Sequence, residues 1–477
     1  MSGTTEPVPR RIKLFYGFGS AAFGVKDNGF AYFLLIFYNQ VLGLSPGMAS
    51  LVLMASLVVD AVADLAIGYW SDNLRSSIGR RHPFIYAAAV PVAIAYGMVW
   101  MPPSGLSQTA LFLYLLGCTV AVRVFISLYE IPSTALIGEL TSDYDERTSM
   151  LGYRYFFGWC GGLTMSTIAL VLIFRSTPEY PVGILNPDGY AIYGAVAVAL
   201  MLVSILVSAV GTHRGNGGYL MPPARKLSWR QIFAEVFETF QDRSFLPVFL
   251  GSLLLFLIVG LTSALFFYVA TFFWGLSSSQ IAMFPIVNFA SAWAAMLIAP
   301  RVARRWDKRR AAIRLMLIAV CWSPIPIVLR LSGLFPANGD AMLLPLLIGH
   351  AVIDTTLGIC VGIVISSMTA DLVESSAVRT GRRSEGLFFA SRSFTQKTMT
   401  GVGVFAAGML LEVIGFPQHS SDGVNPATAD SLGIILVPTV MLLYVCALYC
   451  ISRYGIDRAQ HERNVVALEA SRAVDAA

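Results

Sequence analysis

Apolar positions along this chain gather in long blocks instead of alternating with polar ones. Twelve blocks stand out, at about 14–42, 48–70, 84–102, 109–137, 152–174, 190–211, 245–273, 281–300, 311–332, 341–368, 385–413 and 430–452. Each approaches or exceeds the roughly 20 residues that an α-helix needs to cross bilayer hydrocarbon. Short polar or basic segments separate them, so each block predicts one membrane-spanning helix. The expected fold class is an all-α polytopic membrane protein of twelve transmembrane helices.

Composition removes the soluble alternative. The 477 residues are 56% hydrophobic and 13% charged, against about 25% charged in soluble proteins. Twelve buried core helices would have almost no polar shell. The opening MSGTTEPVPRRIK is polar and basic, and the apolar block after it is too long for the core of a signal peptide, so no cleaved leader is expected.

Orientation follows from Lys and Arg bias. With both termini inside, the cytoplasmic segments and tails hold most of the 33 basic residues, and the outer loops hold only Arg175 and Arg330. The expectation is a multi-pass plasma-membrane protein, in a bacterium the inner membrane, with both termini cytoplasmic. The net charge of +5 then describes the inner membrane face and gives no reason to expect nucleic acid as a partner. The lipid bilayer and a small-molecule solute are the expected partners, and the chain is expected to work as a monomer. All six cysteines fall inside predicted spans without metal-ligand spacing, so no redox chemistry follows.

The chain divides into similar halves: an N-terminal six-helix half (1–211), a cytoplasmic linker with an amphipathic segment (212–244), a C-terminal six-helix half (245–452) and a cytoplasmic tail (453–477). GYWSDNLRSSIGRRHP follows the second span and PRVARRWDKRR follows the eighth, each a short basic turn. Two six-helix halves with corresponding loops predict the major facilitator fold, whose solute binds between the halves near mid-membrane. GFGSAA at 17–22 matches a dinucleotide fingerprint, but it lies inside an apolar helix with no preceding strand. Small residues packing helix against helix explain it better.

Charges inside the spans carry the functional signal. The acids are Asp27, Asp60, Asp64, Glu130 and Asp354; the bases are Lys26, Arg123, Arg154, Arg392 and Lys397. A charge at a helix centre costs about 2.5–3.5 kcal/mol on insertion scales, so matched numbers predict mutual pairing. At 1.5 Å per residue, Asp27 and Lys397 lie roughly 18–20 Å from the inner surface, and Asp60, Asp64 and Glu130 roughly 9–15 Å. Asp60 and Asp64 are four apart and share a helix face. Two close carboxylates repel unless a cation or proton sits between them. With Glu130 they predict an oxygen-rich site for the coupling ion of a secondary transporter, H⁺ or Na⁺. No nucleophile–base pair, phosphate loop or resident metal beyond that Na⁺ is expected, so the chain is not expected to be an enzyme or to carry a cofactor. Asp27 and Lys397, from opposite halves at one depth, are expected to face one central cavity.

Four segments resemble one known family. They are YGFGSAAFGVKDNGFAYFLLIFY, VVDAVADLAIGYWSDNLRSSIGRRHPF, LYEIPSTALIGELTSDYDERT and MTADLVESSAVRTGRRSEGLFFASRSFTQK. Together they resemble the glycoside–pentoside–hexuronide:cation symporters across most of the chain. The resemblance implies a cation site of Asp60, Asp64, Glu130 and Ser127. It implies a solute site of Asp27, Glu130 and Arg154, with Lys26 and Lys397 beside them, and coupling through the shared Glu130. Where the family pattern has an asparagine between the two helix II acids, this chain has Ala63, which favours H⁺ over Na⁺. Thr134 and Gly362 stand where sugar-stacking aromatics are usual, leaving Trp159, Trp274 and Trp293 as candidate platforms. Arg123 favours an anionic solute or a clamp on Glu130. In the loop 72–83, Asp72, Arg75, Arg80 and Arg81 are expected to form a gate latch between inner helix ends. The function implied is cation-coupled symport of a sugar, glycoside or related small polar solute; the alternatives are a lysolipid or amphiphile carrier and a transporter-like receptor without turnover.

Overall fold

The computed structural model describes residues 8–141, 144–213, 245–380, 385–418 and 424–455. Of the linker expected at 212–244 and the tail expected at 453–477, residues 214–244 and 456–477 lie outside these residues. Among the described residues the chain forms twelve spans: α1 (10–41), α2 (Pro46–Asn73), α3 (His82–Trp100), α4 (Gln108–Leu140), α5 (144–173) and α6 (Pro187–Thr212), then α7 (245–273), α8 (278–306), α9 (Lys308–Leu331), α10 (Leu343–Thr380), α11 (Glu385–Ile414) and α12 (Pro426–Ser452). Eleven are long, apolar helices. The remaining span, α1, is a helix with two π-helical stretches, Gly29–Phe33 and Phe37–Val41. This is the major facilitator architecture of two six-helix halves.

Local sequence explains where five of the six even-numbered helices begin. Ser45, Ser107, Asn186 and Asn425 each accept a hydrogen bond from a first-turn amide of α2, α4, α6 and α12, and Ser277 forms a capping box with Gln280 at α8. Proline follows the cap in α2, α6 and α12, where its missing N–H leaves no intrahelical bond unmade. All five starts lie at the end of the bundle opposite the chain termini.

The halves join at that same end. Tyr268 donates to Asn39 Oδ1 at 2.8 Å, and Gln40 Nε2 donates to the Pro417 carbonyl at 2.9 Å. Tyr32 and Phe33 of α1 pack on Phe267 of α7. From there α11 runs along α2: a Cβ on Gly408 would strike Ser50, and one on Gly401 would crowd Met54 and Leu57. These small residues let the two halves approach down to mid-membrane.

Within the N-terminal half, glycine sets the spacing of α1 against α5. A Cβ on Gly24 would fall 1.9 Å from the Gly158 carbonyl oxygen, and one on Gly161 2.7 Å from Ala21. Gly17 and Gly19 of the GFGSAA stretch are equally crowded, by α5 and by Tyr129 and Ser208. The stretch is packing, as its apolar context requires. Gly24→Ala should therefore destabilise the protein by on the order of 1–3 kcal/mol through overpacking. Gly362→Ala on α10, where a Cβ meets nothing within 4 Å, should not. Thermal melting of both variants in one detergent checks the contrast, and equal melting would contradict the packing account.

Candidate functional site

Mid-membrane, α2 presents Asp60 and Asp64 one turn apart toward α4 and α11. Asp60 is 1% exposed. Ser127 of α4 sits against both, its Oγ 3.0 Å from Asp60 Oδ1 and 2.6 Å from Asp64 Oδ1. A hydroxyl carries one proton, so it donates to one carboxylate at a time. The charge balance comes from the other half. Lys397 Nζ of α11 lies 2.9 Å from Asp60 Oδ2 and 2.5 Å from Asp64 Oδ2. An ammonium between two like charges removes their repulsion and supplies a donor to each.

Arg123 extends this cluster toward α1. Its Nη1 is 3.4 Å from Asp60 Oδ2 and 4.0 Å from Asp27 Oδ1, and its guanidinium lies over the Phe30 ring at 5.1 Å. Asp27 is also paired with Lys26 at 2.6 Å. Lys26 is 2% exposed whereas the Asp27 side chain is 54% exposed. Asp27 therefore stands at the edge of an open space, with its cations behind it. That space is a cavity of about 310 Å³ whose wall includes Lys26, Asp27, Arg123, Glu130, Gln396 and Lys397. Both halves contribute.

Glu130 lines this cavity, and its carboxylate makes no hydrogen bond or ion pair with another described residue. It is not drawn to the two aspartates. Among the described residues no group of three His, Cys, Asp or Glu converges on a cation; Lys397 and Arg123 fill the space that a three-acid site would use. Arg154 stands behind Glu130, donating to Ser133 Oγ at 3.0 Å and to the Glu130 main-chain carbonyl at 3.3 Å. Its guanidinium covers the Phe23 ring at 5.0 Å. It braces the α4 backbone instead of meeting the Glu130 carboxylate.

The structure brings the expected residues into one region, with some partners other than those the sequence implied. Asp27 and Lys397 share one cavity, yet Lys397 pairs with Asp60 and Asp64, and Asp27 with Lys26 and Arg123. Arg123 clamps aspartates, not Glu130. Asp354 lies apart, in a cavity of about 210 Å³ inside the C-terminal half, with His350, Ser323 and Trp274.

The loop residues expected to latch the gate form a staple inside one half. Arg81 contacts Asp72 with Nη2, donates to Ser71 Oγ at 2.6 Å with Nη1 and to Glu139 Oε1 at 3.2 Å with Nε. Arg80 Nε lies 2.5 Å from the same Glu139 oxygen. This ties α2, α3 and α4 together, while Arg75 is exposed and makes no ion pair among the described residues. Glu139 is the residue that sequence reasoning missed. Its signal was an acid at the C-terminal end of α4, opposite a loop with an excess of arginine.

Lys397→Ala would leave two buried carboxylates facing each other. Removing one member of a buried charge cluster costs roughly 3–5 kcal/mol, and the partial exposure of Lys397 argues for the lower end. Adding Asp64→Asn should recover part of that loss, because it removes the stranded charge. Thermal melting of the single and double variants reads this directly; a Lys397→Ala protein that melts like the parent would contradict the bridge.

Comparisons with known proteins agree with this fold. A model of the family described as MFS/sugar transport protein matches residues 15–458. An uncharacterised symporter of Synechocystis sp. (strain ATCC 27184 / PCC 6803 / Kazusa) is 24% identical, covering 96% of each chain. A putative glycoside/cation symporter of Escherichia coli (strain K12) is 25% identical over 94% of this chain and 93% of its own. An isoprimeverose transporter of Lactiplantibacillus pentosus is 22% identical over 91% of this chain and 86% of its own. Among solved structures, a bacterial homologue of the human lysosomal transporter Spinster, in an inward-facing and unoccupied conformation, has the same fold: TM-score 0.66 at 15% identity, covering 93% of this chain and 95% of that one. The chain belongs to the MFS/sugar transport protein family, among transporters of the glycoside–pentoside–hexuronide:cation symporter type.

Proposed function

We propose that the protein couples the entry of one cation to the entry of a sugar or glycoside, with Lys397 as the element that links them. The observation carrying this reading is the ammonium of Lys397 held between Asp60 and Asp64 while its side chain also forms part of the solute cavity wall. A cation that reaches the two carboxylates, by protonating one or by coordinating them, weakens the hold on Lys397. The ammonium is then free to turn toward Glu130 and the solute in the adjoining cavity. Solute that engages Lys397 weakens its hold on the aspartates in turn, so each ligand favours the other, as linkage requires.

The proton is the coupling ion best matched to these residues. Ala63 offers no amide oxygen, and Asp60 and Asp64 already have their oxygens engaged by Lys397, Ser127 and Arg123. Protonation needs no third acid. The end with the termini is taken as cytoplasmic, from the Lys and Arg bias. The state described is then inward-facing, which is supported by the closed contacts at the opposite end and by the exposure of Asp27. The host membrane is a plasma membrane, the bacterial inner membrane if the host is bacterial, and one chain is sufficient because the cavity is built within it. The glycoside/cation symporter and the isoprimeverose transporter named above support a carbohydrate as the solute.

In proteoliposomes, Asp60→Asn and Asp64→Asn should abolish accumulation of a transported glycoside against its gradient while leaving exchange measurable. Accumulation by the parent should follow an imposed pH gradient and change little with external Na⁺. Undiminished accumulation in both variants would sink the cation-site assignment, and a strict Na⁺ requirement at constant pH would overturn the proton.

A further inference from the structure

Asp27 has a second face. On the side away from Lys397 and Glu130 lies another cavity of about 320 Å³, walled by α1 and α5 of one half and α8 and α10 of the other. Asp27 is the residue the two cavities have in common. The two chambers differ in chemistry. The first holds Lys26, Arg123, Glu130 and Lys397, whereas the second has no charged side chain other than Asp27.

What the second chamber offers is an aromatic face and neutral hydrogen-bonding groups. Trp159 of α5 is 52% exposed. Asn28 of α1, Asn288 of α8 and Thr355 of α10 surround it, and none of the three hydrogen-bonds to another described residue. Each asparagine carries two N–H donors and a carbonyl acceptor, and the threonine hydroxyl adds one of each. At mid-membrane depth an unmatched amide costs free energy unless water or a ligand meets it. Three such groups from three helices around one indole are matched by a ligand with donors and acceptors around its rim and an apolar face.

The other candidate platforms do not reach this space. Trp274 is buried against the separate C-terminal cavity, and Trp293 lines neither chamber. Thr134 and Gly362, where stacking aromatics are usual, therefore leave Trp159 as the indole beside Asp27. Gly24 and Gly158, which also line this chamber, bring α1 and α5 close enough to set Asn28 beside Trp159.

The geometry points to a carbohydrate-ring subsite in this chamber: an uncharged pyranose stacks on Trp159, its hydroxyls meet Asn28, Asn288 and Thr355, and Asp27 accepts from the hydroxyls nearest the charged chamber. Each chamber sits at the lower end of the roughly 300–1,000 Å³ typical of small-molecule sites. The pair therefore favours a solute of two linked units, one in each, over a free monosaccharide. This inference rests on the carbohydrate reading above and adds where the neutral ring sits and which residues select it.

The test is binding by calorimetry in nanodiscs, free of sugar-headed detergent. The probes are cellobiose, xylobiose and melibiose beside glucose, xylose and galactose. The parent should bind at least one disaccharide more tightly than its monosaccharide units. Trp159→Ala and the Asn288→Ala/Thr355→Val double variant should each weaken that disaccharide about tenfold or more, the scale of one lost stacking or hydrogen-bonding partner. Trp159→Phe, which keeps an aromatic face, should stay within about threefold of the parent. Disaccharide binding that is unchanged in both weakened variants would overturn the subsite while leaving the carbohydrate reading intact. No saturable binding of any of the six sugars to the parent would overturn both.

Discussion

The ammonium of Lys397 is the only described cation that reaches across the bundle to the paired acids of α2, and the organisation of the polar interior follows from that reach. Asp60 and Asp64 share a helix face, so each would raise the cost of ionising the other. Bringing a cation from the opposite half removes that cost and joins the halves at mid-membrane. It also consumes the bond whenever the acids are neutralised. If the paired acids bind the coupling ion as proposed, a contact that holds the halves together only in its absence is a physical basis for exchange between conformations.

Packing positions this bridge. Gly401 and Gly408 let α11 run close along α2 from the sealed end inward, so that Lys397 arrives at the level of Asp60. On the other flank, Arg123 links the Asp60 site to Asp27, and the glycines of α1 bring Asp27 beside α5. Arg123 and Lys397 thus link the paired aspartates to the first chamber, and Asp27 links that chamber to the second. The arginine staple, at the end of the bundle that holds the chain termini, ties α2, α3 and α4 together within the N-terminal half.

Much of this was legible in the sequence. Block length gave the spans, the doubled pattern gave the two halves, and the intramembrane charges pointed to the residues that cluster between them. Pairing was harder to read, because which face a side chain takes depends on helix rotation. Asp27 follows a turn at Gly19–Ser20 and lies two residues before the glycine that opens a π-helical stretch, so counting at 3.6 residues per turn loses phase on both sides of it. That is why Asp27 and Lys397 could be given one depth and one cavity but not the right partners. Arg123 was seen as an added cation, and its contact with Asp60 needed the separation of α2 and α4. Glu139 was hidden because an acid near a helix end is ordinary. Asn28, Asn288 and Thr355 gave no signal at all, since neutral polar residues in apolar helices acquire meaning only when several converge.

The central claim is that solute and cation move together because both act on Lys397. The most direct measurement records both in one preparation: proteoliposomes with a trapped pH indicator, no imposed ion gradient, and a transported glycoside added outside. The account predicts that inward movement of the glycoside acidifies the lumen in step with uptake, and that an uncoupler removes the acidification. Glycoside entry without any accompanying proton or Na⁺ movement would contradict it.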